Sequence, residues 1–293
     1  MPTWTFAEEE TRYECLGRQC RYRHVAPPVG PPWTRPAVQH SLPSIAGLSG
    51  TKTRRAEGGG YVGLVAYWLL KAILTPIFFV LWRVKVEGRE NIPKHGPAVL
   101  ASNHQSFCDS FFIPLVVTRK VTFLAKAEYF DSWKTAWFFR AAGQIPIQRG
   151  GGSASERALN TARTQVLGKG NILGLYPEGT RSVDEYVHKG RTGVTRLSRE
   201  CGVSIIPVGV VGTVEVQPVN SKILRPFKTV TIRFGQPMQM EEPANPDDPM
   251  EGHDHTLCRS FTDDLMHEIA RLSEREYVND YVPSRSTPSS TPA

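Results

Sequence analysis

From Arg83 onward the sequence is a series of short apolar runs, each cut off by polar residues or glycine and mostly followed by a stretch with helical spacing. Residues 83–87 alternate as a half-buried strand does. Residues 99–102, 121–125, 144–147, 171–176, 204–211 and 229–234 read as further strands. Helical patterns fill most of the intervals, over 107–117, 127–141, 153–167, 193–201 and 254–277. This alternation predicts an α/β domain with a mixed, mainly parallel sheet flanked by helices. Such sheets bind ligands at the carboxyl ends of their strands, so the residues just after each run are where a site is sought.

The most informative of these ends lies in residues 98–112, AVLASNHQSFCDSFF. The apolar run breaks at Ser102-Asn103-His104, and the helical pattern begins near Phe107. Ser106 suits the N-cap, and Asp109 follows three residues later, where a capping box places its acid. His104 then sits on the strand-to-helix turn and Asp109 on the first helical turn, so the carboxylate can reach back to the imidazole. A base held by an acid can activate a hydroxyl nucleophile. A turn histidine beside a purely capping aspartate has the same local pattern.

Asn103-His104-x-x-x-x-Asp109 resembles the first signature of the glycerolipid acyltransferase family, whose best-known members are 1-acylglycerol-3-phosphate acyltransferases. Three further stretches resemble that family's motifs in the same order: residues 143–149, GQIPIQR; residues 176–182, YPEGTRS; and residues 203–208, VSIIPV. The resemblance covers roughly residues 80–240. It implies transfer of a fatty acyl group from a thioester, acyl-CoA or acyl carrier protein, to the free hydroxyl of lysophosphatidic acid, giving phosphatidic acid. His104 would be the general base, and Asp109 would hold its tautomer and stabilise the imidazolium, with the substrate hydroxyl where a hydrolase has its serine. An unperturbed imidazole titrates near pH 6.5, which suits a base. Neither cofactor nor metal is required. Cys108 offers an acyl-cysteine route, but as a helical neighbour of Asp109 it should point elsewhere.

The acceptor's phosphate needs cations. Arg149 and Arg181 each follow a strand, and a guanidinium binds phosphate bidentately. Lys126 also follows a strand and resembles a family lysine that contacts phosphate. Glu178-Gly179-Thr180 forms a tight turn whose amides could cradle an anion, with Glu178 orienting Arg181 or a substrate hydroxyl. Lys189, Gly190 and Gly193 look like part of the same wall. The competing readings are another acceptor (glycerol-3-phosphate or a different lysophospholipid), a thioester hydrolase, and a lipid-binding protein without turnover.

The remainder of the chain sets the context. Net charge is +7 and the pI about 9.2, which favours anionic partners. No nucleic-acid motif or long basic run stands out, so lipid headgroups and phosphorylated substrates are preferred over nucleic acid. Five scattered cysteines suggest no disulfide framework. Neither Cys15, Cys20 and His24 nor His253-Asp254-His255 has convincing metal-site spacing. Residues 1–60 are Pro-rich and aperiodic and read as a disordered or loosely attached extension. Residues 283–293, rich in Ser, Thr and Pro, read as a disordered tail. The acyltransferase domain is then 83–282. Between extension and domain, residues 61–82 are the most apolar stretch of the chain, interrupted by Lys71 and Pro76. The expectation is a kinked helical hairpin dipping into one leaflet, with a full span and an ordinary buried core helix as the alternatives, and with the protein on the cytoplasmic face of the cell membrane.

Overall fold

The computed structural model describes residues 59–148, 152–218, 221, 223–240 and 251–283. The extension before residue 59, the tail beyond 283, Arg149 and the Cys15–Cys20–His24 group lie outside these. In chain order the elements are α1 (Gly59–Leu81), β1 (Arg83–Glu87), β2 (Ala98–Ser102), α2 (Asp109–Val116), β3 (Val121–Lys126), α3 (Trp133–Ala141), β4 (Ile145–Ile147), α4 (Ser153–Gln165), β5 (Ile172–Leu175), β6 (Val187–His188), α5 (Gly193–Cys201), β7 (Ile205–Val211), α6 (Thr213–Val216), β8 (Thr229–Phe234), α7 (Glu251–Leu272) and β9 (Tyr277–Val278).

Seven strands form one sheet in the order β1-β8-β7-β2-β5-β3-β4. Every neighbouring pair is parallel except β7 with β8, so the sheet is mixed and mainly parallel as the sequence predicts. β2 is central, between β7 and β5, and is buried along its whole length. Its uninterrupted apolar run follows from being covered on both faces. Ala98 and Leu100 pack with Phe112, Ile113 and Val116 of α2 and with Trp82 just after α1. Val99 and Ala101 pack with Ala162 of α4, Leu197 of α5, and Leu265, Met266 and Ile269 of α7. Gly209 of β7 lets α7 approach this second face, because a Cβ there would collide with the backbone of Leu272.

α1 corrects the hairpin expectation. It is one helix of 23 residues that includes Pro76 and also takes in Gly59 and Gly60, placed by the sequence reading in the extension. Lys71 does not interrupt it, because its ammonium turns toward the protein. Nζ donates to the carbonyl of Pro114 at 2.7 Å and to that of Val117, satisfying oxygens at the end of α2 that no helical amide reaches. The stretch Gly63–Leu81 is long and apolar enough to cross a bilayer, and only 6% of it is buried within the protein. Leu64, Val65, Leu69, Ile73, Ile77 and Val80 face outward.

Two other boundaries differ from the sequence reading. The helix expected over 127–141 breaks at Asp131-Ser132, leaving a 3-10 turn at Ala127–Phe130 before α3. The last helix ends at Leu272 rather than 277. Ser273 bonds back to the carbonyl of Ile269, and Glu274 adopts φ 55°. That turn sends Tyr277–Val278 into a parallel pair with β6, an element too short to read from sequence.

Candidate active site

The carboxyl ends of β2, β5 and β3 adjoin in the sheet, and each carries residues singled out from the sequence. At the end of β2 the side-chain amide of Asn103 extends the strand pairing. It donates to the carbonyl of Val210 at 2.9 Å and accepts from the Val210 amide at 2.8 Å. The turn is thereby tied to β7 just before His104. Asp109 closes it from the other side: Oδ2 accepts from the amides of Gln105 and Ser106, both at 2.9 Å. The Ser106 bond is the reciprocal half of the expected capping box, although regular α-helix starts only at Asp109.

The same Oδ2 lies 3.0 Å from His104 Nδ1. His104 is 7% exposed and Asp109 1%. With a carboxylate at Nδ1, that nitrogen carries the proton and donates it, so Nε2 holds the basic lone pair. The imidazole also stacks on Tyr176, ring centroids 3.8 Å apart and planes 10° from parallel. Tyr176 in turn stacks on Phe123, and its hydroxyl lies 2.8 Å from Ser110 Oγ on α2. The ring of His104 is therefore fixed in the plane by its carboxylate and across it by an aromatic layer. Tyr176 opens the third motif, but nothing in the sequence signals that it covers the histidine.

The third motif closes over this pair. The carbonyl of His104 accepts from the Ser182 amide at 2.8 Å. Gly179 takes φ 76°, the left-handed conformation the tight turn needs. Its N–H bonds to the carbonyl of Tyr176 at 3.0 Å, so that amide is spent inside the turn rather than offered to an anion. Glu178 is buried at 2% exposure, and neither of its carboxyl oxygens has a hydrogen-bond partner among the described residues. Burial pushes its pKa up to about 8, and the charges of Asp109 and Asp184 add to the rise. The nearby His104 amide, short of a well-formed bond, pulls the other way. At neutral pH Glu178 is thus mostly a neutral acid that can donate a hydrogen bond, so it would not repel a phosphate as a carboxylate does. It makes no ion pair with Arg181 among the described residues.

Gly179, Thr180 and Arg181 are exposed on the rim. Lys126 ends β3 and pairs with Glu128 at 2.8 Å, both half-exposed. Such a surface pair is worth at most about 1 kcal/mol and yields readily to a ligand. Gly190, which the sequence placed in the binding wall, answers to packing: a Cβ there would crowd Met266 and Thr262 of α7. Cys108 is buried, donates to Gln217 Oε1 at 3.3 Å, and has its thiol pushed up to about 12, chiefly by burial. It does not carry the features of a nucleophile. His255 is exposed on α7, and the side chains of His253 and Asp254 lie outside the described residues.

Sequence reasoning missed a polar cluster behind the motif. Asp184 lies 2.9 Å from His188 Nε2 and accepts from Ser182 Oγ at 2.7 Å. Arg275, from the segment after α7, reaches the carbonyl of Asp184 at 3.5 Å. A small apolar pocket lies where α1, α2 and α3 meet. Tyr67, Leu70 and Leu74 of α1, Phe111 and Leu115 of α2, and Phe138 of α3 line it, and Ser110 provides a polar edge beneath Tyr176.

Comparison with known proteins bears on this arrangement. Residues 83–211 match the family described as Acyltransferase. The chain is 27% identical over 161 residues to the chloroplastic 1-acyl-sn-glycerol-3-phosphate acyltransferase of Arabidopsis thaliana, covering 55% of this chain and 45% of that protein. It is 31% identical over 149 residues to the lyso-ornithine lipid O-acyltransferase of Pseudomonas aeruginosa, covering 50% and 53%. It is 29% identical over 132 residues to a 1-acyl-sn-glycerol-3-phosphate acyltransferase of Saccharomyces cerevisiae, covering 44% and 43%. The chain spans about half the length of the curated relatives it matches. Among solved structures, the 1-acyl-sn-glycerophosphate acyltransferase PlsC from Thermotoga maritima superimposes with a TM-score of 0.52 at 22% identity, over 76% of this chain and 85% of that one. That likeness is one of fold.

Proposed function

Residues 83–211 belong to the acyltransferase family, and from that premise we propose that the chain transfers a fatty acyl group from a thioester to the free hydroxyl of lysophosphatidic acid, giving phosphatidic acid. The donor is acyl-CoA or acyl carrier protein. The observation that carries this reading is the buried bond between Asp109 and His104, held at the end of β2 by two backbone amides and an aromatic stack.

His104 Nε2 takes the proton of the acceptor hydroxyl as its oxygen attacks the thioester carbonyl. The tetrahedral intermediate collapses with cleavage of the C–S bond, and the imidazolium returns the proton to the leaving thiolate. A positioned base of this kind contributes roughly 10²–10⁴ in rate. Asp109 keeps the required tautomer and offsets the imidazolium charge. Neutral Glu178 donates to the acceptor or its phosphate, and Arg181, Lys126 and Arg149 supply the cations for that phosphate.

The likeness to a lyso-ornithine lipid acyltransferase favours a second acceptor class, a lysolipid without phosphate. Competition assays separate the two. With purified protein in mixed micelles, lysophosphatidic acid is expected to be acylated in preference to lyso-ornithine lipid and glycerol-3-phosphate, with Arg181→Ala raising KM for lysophosphatidic acid alone. A preference for lyso-ornithine lipid that Arg181→Ala leaves untouched would replace phosphatidic acid as the product.

A further inference from the structure

α3 has a well-packed inner side and an outer side that carries two largely exposed tryptophans. Inward, Ala136 and Phe139 are buried, and Phe139 stacks on Tyr129 at 4.9 Å. Outward, Trp133 is 77% exposed and Trp137 63%. The two indoles are one helical turn apart and so share a side. A single exposed apolar residue needs no explanation, but two exposed tryptophans on adjacent turns mark a contact surface. Arg140 follows on the next turn, exposed, with its guanidinium 5.8 Å from the ring of Phe130.

The position of this surface identifies its occupant. α3 packs beside α1, sharing an apolar pocket in which Phe138 and Ala142 meet Tyr67, Leu70 and Leu74. α1 turns an almost unburied apolar side outward, with Trp68 in it. α3 also follows β3, whose carboxyl end bears Lys126 at the rim of the site. Indoles prefer the boundary between acyl chains and headgroups, where the ring is in apolar surroundings and the N–H is wet. An adjacent arginine suits lipid phosphates. We propose that α3 is a second membrane contact, with Trp133 and Trp137 seated in the interfacial zone of the bilayer that also takes the outward side of α1. This sets the mouth of the site at the lipid surface. The inference rests on α1 being membrane-associated and does not depend on the acyl-transfer chemistry.

Tryptophan emission tests it directly. Full-length protein is reconstituted in phosphatidylcholine–phosphatidylglycerol vesicles with and without acyl-chain-brominated phosphatidylcholine, beside Trp133→Phe/Trp137→Phe and Trp68→Phe. All three proteins are expected to float with the vesicles. The double variant should lose a larger share of the bromolipid-quenchable emission than Trp68→Phe does. In wild type, aqueous iodide should quench less in vesicles than in detergent, and this protection should shrink in the double variant. Equal quenchable emission in wild type and double variant, with iodide access unchanged by lipid, would place α3 in water and overturn the proposal. Failure of every protein to float would remove the membrane reading of α1 and this inference with it, leaving the chemistry of His104 to be judged by turnover.

Discussion

His104 is constrained in more ways than a turn histidine requires. A carboxylate fixes its tautomer, the Tyr176 ring fixes its plane, and the Ser182 amide fixes its backbone. Asp109→Asn retains the shape but destroys the acceptor that selects the tautomer. It is expected to lower kcat by about 10²–10⁴ while KM stays within a few-fold. Glu178 makes a separate pH prediction. Its carboxyl ionises near 4.5 in the unfolded chain and near 8 in the fold, because burial disfavours the charge. Between those values the folded state holds the extra proton. Its contribution to stability is therefore fully present below about pH 4.5 and is lost as pH rises toward 8. Glu178→Gln cannot ionise. Its thermal unfolding midpoint should lie closest to wild type near pH 4 and exceed it by an increasing margin up to pH 8. A constant difference across that range would mean that Glu178 is ionised in the fold.

At the scale of elements, the pairing of Lys71 with the end of α2 joins the outward helix to the α/β body. Lys71→Met would leave two carbonyls without their donor, and a loss of about 1–3 kcal/mol is expected in chemical unfolding. No change would mean that solvent or lipid headgroups replace the ammonium. This lysine also shows where sequence reading stops. Lys71 and Pro76 look like interruptions because their context is local in sequence, whereas the carbonyls that accept from Lys71 are 43 and 46 residues away. Strands whose signal is local were legible: β2 is apolar on both faces and broken by Asn103-His104, and β1 alternates. The capping box was legible for the same reason, and with it the meeting of His104 and Asp109. The order of strands was not, nor was the antiparallel pairing of β7 with β8, since both depend on contacts between distant segments. The two-residue pair β6 and β9 carries too few residues for any period. Glu178 was identified by its motif, but its neutral form follows from burial under a loop, which no spacing encodes.

For the whole molecule, one layer combines the outward apolar helix α1, the apolar pocket and α2, whose first turn carries Asp109. The central claim is that His104 acts as base on an acceptor hydroxyl. The most direct test is thiol release from palmitoyl-CoA by detergent-purified full-length protein, with and without lysophosphatidic acid, beside His104→Ala. Palmitoyl acyl carrier protein is run as the alternative donor. The account predicts release from at least one donor that requires the acceptor and falls by about 10²–10⁴ in the variant. Release independent of the acceptor would make the protein a hydrolase, and undiminished release in His104→Ala would remove the base. Silence with both donors would contradict turnover and leave a lipid-binding protein.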